Sequence, residues 1–541
     1  MTSHSSAAQT RLVNTKESTR RYRVWIRVRK AVQIAALIIF LFFMVATRSG
    51  FPRPALANLP MRLDPFLAIS NLLSARVLLP GLALALPVLV LTVVFGRAWC
   101  GWLCPLGTVF DLFPKREITR RNPGPQVPES WRKIKYILLI ATLALACLGA
   151  LGLFAPGSLA LLTLDPLTIL YRSLTASIWP SLDWAVSSLE AAAYQLPFLS
   201  GPITILDAWL RPGVFPLDPM IYRLGWLYAA LLAGLILLDQ IVPRFWCRYL
   251  CPLGGLLGWI SRVALFQRQV SPDCKDCGLC SISCPTGTID ADRDYASDPA
   301  ECTMCLDCLP SCPRSTIQIQ GNLWGARRSK NSPETESWGP LVTRRQFLAT
   351  LGLSAAAMVV ARAPVAPKTR PPFRLRPPGA LEDELMSRCL RCGVCMRACP
   401  TNALQPALTE AGVEGLWTPV LVPRLGYCDY ACNACGQVCP VQAIPPLSLD
   451  EKRTQVIGKA YIDQNHCIAW SDHIDCIVCE EMCPLPDKAI YLEEASFATV
   501  DGDTVQVKVP HVERDRCIGC GICENRCPVT GQAAIRVYGY E

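Results

Sequence analysis

Twenty-four of this chain's 29 cysteines fall into six quartets, and each quartet closes in Cys-Pro. Four read Cys-x2-Cys-x2-Cys-x3-Cys-Pro: Cys274, Cys277, Cys280, Cys284; Cys302, Cys305, Cys308, Cys312; Cys389, Cys392, Cys395, Cys399; and Cys517, Cys520, Cys523, Cys527. Two are stretched at the first step, Cys428, Cys432, Cys435, Cys439 by one residue and Cys467, Cys476, Cys479, Cys483 by six. A loop of this spacing wraps a 4Fe-4S cubane and offers it three thiolates, while the fourth cysteine, beside proline, ligates the neighbouring cluster. Zinc knuckles use two separated pairs or bring in histidine, and a disulfide framework has no reason to repeat a three-cysteine spacing. The chemistry these residues point to is electron transfer over about six clusters.

Quartets that share ligands must work in pairs. Cys274, Cys277 and Cys280 are expected to close with Cys312, and Cys302, Cys305 and Cys308 with Cys284. The last four quartets make two more pairs, and spacing leaves open whether neighbours pair or the first pairs with the fourth.

Four further cysteines lie in a twin motif. Arg97-Ala98-Trp99-Cys100-Gly101-Trp102-Leu103-Cys104-Pro105-Leu106-Gly107 recurs as Arg244-Phe245-Trp246-Cys247-Arg248-Tyr249-Leu250-Cys251-Pro252-Leu253-Gly254. Leu63-Asp64-Pro65-Phe66 similarly matches Leu164-Asp165-Pro166-Leu167. A pseudo-twofold repeat of helix pairs would bring Cys100, Cys104, Cys247 and Cys251 together, as a further metal site, a disulfide couple or a turn with unligated thiols. Asp64, Asp165 and Asp239 lie close to or within apolar segments, where acids are costly; they are candidates to accept protons from a quinol, with helix capping the alternative for the two Asp-Pro acids. Asp239 is expected to reach the lipid headgroups, and Cys147, alone in an apolar run, to be a small core residue.

The elements that must carry these sites are largely apolar. Hydrophobic residues make up 51% of 541, and mean hydropathy is +0.28, high for a soluble protein. Apolar runs near 31–47, 77–96, 136–156 and 224–242 each approach the length that spans a bilayer. Residues 11–30 and 97–135 carry eight Lys or Arg each, against four in 48–76 and three in 157–223. The positive-inside rule then puts the N-terminus and the loop after the second run in the cytoplasm. The net charge of +10 needs no nucleic-acid partner, because much of it sits at the membrane edge.

Thr343-Arg344-Arg345-Gln346-Phe347-Leu348 precedes a small-residue apolar stretch ending at Val360. It looks like an internal twin-arginine export signal, suited to a domain that takes up its clusters before it is exported. Pro364 directly follows the cleavage-like Ala361-Arg362-Ala363, so an uncleaved anchor is expected, followed by a stiff proline-rich linker. The four histidines, His4, His466, His473 and His511, lie outside the apolar runs, and no Cys-x-x-Cys-His occurs. Bis-His and c-type haem are thus unsupported. No strand-bound Gly-x-Gly-x-x-Gly marks a dinucleotide site. His466 and His473 read as exposed loop histidines.

With these motifs in view, residues 25–320 resemble the membrane ferredoxin-type subunits NapH and MauN, of periplasmic nitrate reductase and methylamine-utilisation systems. Residues 343–541, with Arg376-Pro377-Pro378-Gly379-Ala380 and the eight-residue gap before Cys476, resemble their exported partners NapG and MauM. The resemblance implies quinol-linked electron delivery to a periplasmic reductase or cytochrome, or, in another class of role, electrons for maturation of a metallo- or quinone-cofactor enzyme. The flavin domain of a related nitrous-oxide regulator is expected to be absent, since about thirty residues precede the first run.

The fold expected is a membrane α-helical protein, four spans plus a fifth anchor, with α+β ferredoxin-like 4Fe-4S modules. Its divisions are a basic tail 1–30, a membrane domain 31–262, a cytoplasmic two-cluster domain 263–320, a linker 321–342, a signal or anchor 343–366, and an exported four-cluster domain 367–541. The chain is expected in the inner membrane of a bacterium, as an electron carrier or a quinol dehydrogenase subunit, with the quinol pool, a periplasmic acceptor and a cytoplasmic donor as partners.

Overall fold

The computed structural model describes residues 3–48, 54–77, 79–113, 127–150, 162–198, 200–215, 220–321, 340–362, 374–408, 410–412, 415–498 and 504–539. The expected linker over 321–342 and the proline-rich stretch after 363 lie mostly outside these residues.

The first apolar run belongs to the helix Ser3–Ala46. Its segment Tyr22–Ala46, 25 residues long, is the one helix among the described residues long and apolar enough to cross a bilayer. The other runs form shorter helices. Pro80 and Pro87 sit at the first turns of the 3-10 segment Pro80–Ala85 and the helix Leu86–Phe95, where a missing N–H costs nothing. Gly96 ends the latter at φ +64°, a conformation glycine takes without strain. The third and fourth runs give Ile134–Ala150 and Gly225–Ile241, 17 residues each. At this length the expected four spans are not supported: one helix qualifies.

Between these lie short helices with proline at their first turn. Pro65–Ala75 is capped by Asp64 and Pro166–Ser173 by Asp165; Pro105–Leu112 follows Cys104, and Pro252–Ser261 follows Cys251. Asp-Pro and Cys-Pro are thus helix starts in both halves of the repeat. The helix Arg344–Arg362 packs on Ile134–Ala150. Thr343 and Gln346 form a reciprocal capping box at its start.

The cysteine quartets sit in loops framed by short antiparallel ladders. β1 (Phe266–Val270) pairs with β2 (Ile317–Gly321) around the first two quartets. β3 (Leu404–Pro406) pairs with β4 (Pro419–Leu421), β5 (Lys459–Ile462) with β8 (Ile535–Tyr538), and β6 (Ile490–Ala498) with β7 (Thr504–Val512). Ladders of this size bury little apolar surface, so small modules of this kind need another source of stability.

Two cluster-bearing regions sit at opposite ends of the stretch from Arg29 to Arg48, most of which is the last part of the first helix. At one end Arg29 Nη1 donates to the Cys305 carbonyl at 2.7 Å. At the other, Arg48 Nη2 donates to the Pro400 carbonyl at 3.2 Å. The helical rise between Arg29 and Ala46 is about 26 Å. The first module is further tied by Trp102 Nε1 to the Met304 carbonyl and Ser261 Oγ to the Pro299 carbonyl. The second is tied by Asn58 to Val438, Asn71 to Arg388, Ser74 to Ser387 and Tyr222 to Met396.

Two sequence expectations are corrected here. Cys147 is exposed, not in a core, because it lies on an outward face of its helix. Asp239 turns inward, its Oδ1 accepting from the Arg244 backbone N–H at 2.7 Å, so it fixes the turn into the second Cys-x3-Cys-Pro motif instead of reaching outward.

Candidate iron-sulfur sites

All of the cysteines in the six quartets are free thiols, so no disulfide framework forms. Three cavities show how they group. Cys302, Cys305 and Cys308 line the first with Cys284, walled by Ile289, Leu309 and Ile319. Cys389, Cys392 and Cys395 line the second with Cys439, against Trp417 and Ile444. Cys467, Cys476 and Cys479 line the third with Cys527, against Ile462 and Ile535. In each, three thiols come from one quartet and the fourth from its neighbour. The first grouping is the one the spacing predicts. In the other two, thiols of the third quartet gather with one of the fourth, and thiols of the fifth with one of the sixth.

Two of the three complementary groups agree. Cys435 interacts with Cys428, Cys432 and the Cys399 thiol of the preceding quartet. Cys520 interacts with Cys517 and with Cys483. Cys280 gathers with Cys274 and Cys277, while the Cys312 Sγ lies 3.2 Å from Thr316 Oγ1.

The local backbone shapes these pockets. Gly278, Gly393 and Gly521 all adopt φ between +71° and +82°, each one residue after the second cysteine of a regular quartet. That left-handed step turns the chain into the short helix carrying the third cysteine.

The cavities suit a cluster better than a single ion. Among the described residues no three Cys, His, Asp or Glu side chains converge to hold one ion, so the thiols ring wider spaces. The walls are apolar, and burial pushes the Cys392 and Cys479 thiols up to about 12. Such thiols become thiolates when a bound cationic centre offsets the loss of water.

The twin motif forms a separate thiol cluster. Cys100, Cys104, Cys247 and Cys251 are all buried and unbonded, and the Cys251 thiol interacts with the other three. In both copies the second cysteine N–H donates five residues back, Cys104 to Trp99 at 3.0 Å and Cys251 to Trp246 at 2.9 Å. The arginines that open the motifs cross over. Arg97 Nη2 donates to the Cys247 carbonyl at 3.2 Å, and the Arg244 guanidinium lies against Gly107 of the first copy. Arg97 also pairs with Glu301, which binds Lys135 and Tyr136 as well, and Arg244 pairs with Asp111. The Gly101 Cα faces the Thr303 carbonyl so closely that a Cβ would stand 2.3 Å from it. The thiol cluster therefore abuts the Cys302 loop. Sequence reading missed these arginine roles, although Arg97 and Arg244 hold the same place in the repeat.

Asp64 and Asp165 are brought into contact, each capping its own helix. His466 is exposed and bound to Asp463 at 2.9 Å; His473 stacks on Phe497.

A family described as "4Fe-4S binding domain" matches residues 77–124 and 224–271, the two copies of the twin motif. Another of the same description matches 385–405 and 510–529. The methylamine utilization ferredoxin-type protein MauM of Methylorubrum extorquens is 39% identical over 166 residues, 30% of this chain and 71% of that protein. The chain belongs to the ferredoxin-type family of MauM and NapG. The family's Paracoccus denitrificans MauM is 35% identical over 34% of this chain and 78% of its own length. Ferredoxin-type NapG of Escherichia coli is 38% identical over 30% and 70% respectively. No solved structure matches.

Proposed function

We propose that this chain is a membrane-anchored polyferredoxin that carries electrons from quinol, or from a cytoplasmic donor, to a redox enzyme on the other side of the membrane. The observation that carries the reading is the pair of contacts from Arg29 to Cys305 and from Arg48 to Pro400, which bracket the most apolar part of the first helix with cluster-bearing regions. Membership of a ferredoxin-type family supports the electron-transfer role.

The ligand sets are read as Cys274, Cys277, Cys280 with Cys312; Cys302, Cys305, Cys308 with Cys284; Cys389, Cys392, Cys395 with Cys439; Cys428, Cys432, Cys435 with Cys399; Cys467, Cys476, Cys479 with Cys527; and Cys517, Cys520, Cys523 with Cys483. When bound, clusters there supply reversible one-electron uptake. The chain's own part is to hold the thiols in dry pockets, to offset their negative charge and to fix the modules in place. Arg268 stands at the Cys302 pocket, and Arg391 donates to the Cys389 carbonyl at 3.2 Å.

The membrane reading extends beyond the single qualifying helix. The helices Pro80–Phe95, Ile134–Ala150 and Gly225–Ile241 are read as further spans grouped around the first, with residues 31–262 as the membrane domain. The helix Arg344–Arg362 is read as the anchor ahead of an exported domain, consistent with its twin-arginine start. The chain is read as a NapH-like half fused to a NapG-like half, a reading supported by the twin motif and by the matched segments 385–405 and 510–529.

Isolated membranes holding the full chain test the quinol step. Duroquinol added anaerobically should bleach the iron-sulfur absorbance within the mixing time of a manual assay. Absence of bleaching, with dithionite still able to reduce the protein, would instead favour a role in maturing a periplasmic enzyme.

A further inference from the structure

The two Asp-Pro acids of the repeat meet inside the helical domain. Asp64 Oδ1 accepts from the Phe66 and Leu67 N–H groups at 2.8 and 3.2 Å. Asp165 Oδ2 accepts from the Leu167 and Thr168 N–H groups, both at 2.9 Å. One oxygen of each carboxyl is thereby used by its helix. The other two, Asp64 Oδ2 and Asp165 Oδ1, are buried and have no N–H or hydroxyl donor. The two carboxyls instead lie within hydrogen-bonding reach of each other. Both residues have no exposed surface.

Two carboxylates cannot hydrogen-bond without a proton, and two negative charges at contact in a dry interior repel strongly. A pair holding one proton satisfies every oxygen: one acid donates, the other accepts, and each keeps its cap. The two helix N-termini favour the single remaining negative charge.

Arg172 links this pair to an electron site. Its guanidinium stacks on Trp417 at 4.3 Å, and Trp417 walls the cavity of Cys389, Cys392, Cys395 and Cys439. Its Nε and Nη2 donate to the Thr168 and Thr163 carbonyls, while the buried Nη1 has no acceptor. It interacts electrostatically with both Asp165 and the Cys389 and Cys392 thiols. It lies between the pair and the cavity, held by the helix that Asp165 caps.

We propose that Asp64 and Asp165 form a proton-sharing carboxyl pair whose proton occupancy follows the charge at the neighbouring four-thiol cavity, making that electron site proton-coupled. One electron added at the cavity is balanced by one proton taken up at the pair from solvent, and its loss returns that proton. The coupling rests on the electron-transfer reading of the cavity, but the shared proton does not. Burial, which raises Asp64 to about 6 and Asp165 further, agrees with a retained proton.

Redox-difference infrared spectroscopy of the full chain in nanodiscs tests this, with dithionite as reductant. The expected result is a protonated-carboxyl band that shifts in deuterium oxide, changes on reduction, and is lost in the Asp64→Asn/Asp165→Asn variant. Asn keeps the cap in each position, so visible absorbance and thermal unfolding check that the variant is folded. A second variant, Arg172→Gln, should retain the band and lose its change on reduction. A band absent from the wild type, or unchanged by reduction, overturns the proposal. In either case reduction followed by visible absorbance would still report electron uptake, so failure of the pair and failure of the electron-transfer reading are distinguishable.

Discussion

Arg97 of the first Cys-x3-Cys-Pro motif lies across Gly254 of the second, its Nη2 2.7 Å from where a Cβ on that glycine would stand. Arg244 lies in the same way over Gly107, at 2.5 Å from the corresponding point. Each arginine thus braces the helix start of the other copy, and glycine is needed because both guanidiniums are buried and held by carboxylates. Gly254→Ala and Gly107→Ala should each cost about 1–3 kcal/mol through overpacking. Thermal unfolding of the purified chain measures this, and Leu106→Met, an apolar swap of similar size, should cost less.

Glu301 joins the Cys302 module to the helical domain through Arg97, Lys135 and Tyr136. Burial alone would raise its carboxyl; Lys135 and Arg97 hold it below the usual range instead. Glu301→Gln leaves two buried cations without their counter-charge, a loss of about 3–5 kcal/mol. Denaturant unfolding followed at the Cys302 module should show the lowered midpoint. Because the folded state depresses this carboxyl, its contribution is present above the ordinary glutamate range and is lost as pH falls through the depressed value.

Asp64 and Asp165 carry the opposite sign. Burial raises Asp64 to about 6, above its unfolded value of about 4. The folded state therefore binds more protons than the unfolded state between those values, and stability falls as pH rises through that window. Unfolding midpoints measured from pH 4 to 7 should show this slope in the wild type and a flatter profile in Asp64→Asn.

Crosswise ligation makes a distinct prediction about iron. Cys284→Ser should perturb the site of Cys302, Cys305 and Cys308, and Cys439→Ser that of Cys389, Cys392 and Cys395. Each should lower bound iron by about one cluster. Electron paramagnetic resonance of reduced samples would show which signal changes. Loss confined to the mutated quartet's own three-thiol loop would contradict the pairing.

Much of the site was legible because cluster loops are local. Three of the four thiols of a regular quartet lie within a few residues of one another. The fourth thiol of the later sites was not legible, because which quartets become neighbours depends on how the β5–β8 and β3–β4 ladders fold back. The twin motif and both Asp-Pro starts were visible as a repeat, yet the repeat alone did not show that Arg97 and Arg244 exchange places. Contacts such as Arg172 on Trp417 span hundreds of residues and leave no spacing signal. Helix lengths differ from the apolar runs because Pro80, Pro87 and Pro243 interrupt or end the helices.

The most direct test of the whole account is the iron and acid-labile sulfide content of anaerobically purified full-length chain, read beside its reduced low-temperature paramagnetic resonance spectrum. The account predicts roughly 24 irons with equal sulfide and overlapping, magnetically interacting cluster signals. Colourless protein with neither iron nor sulfide would contradict it.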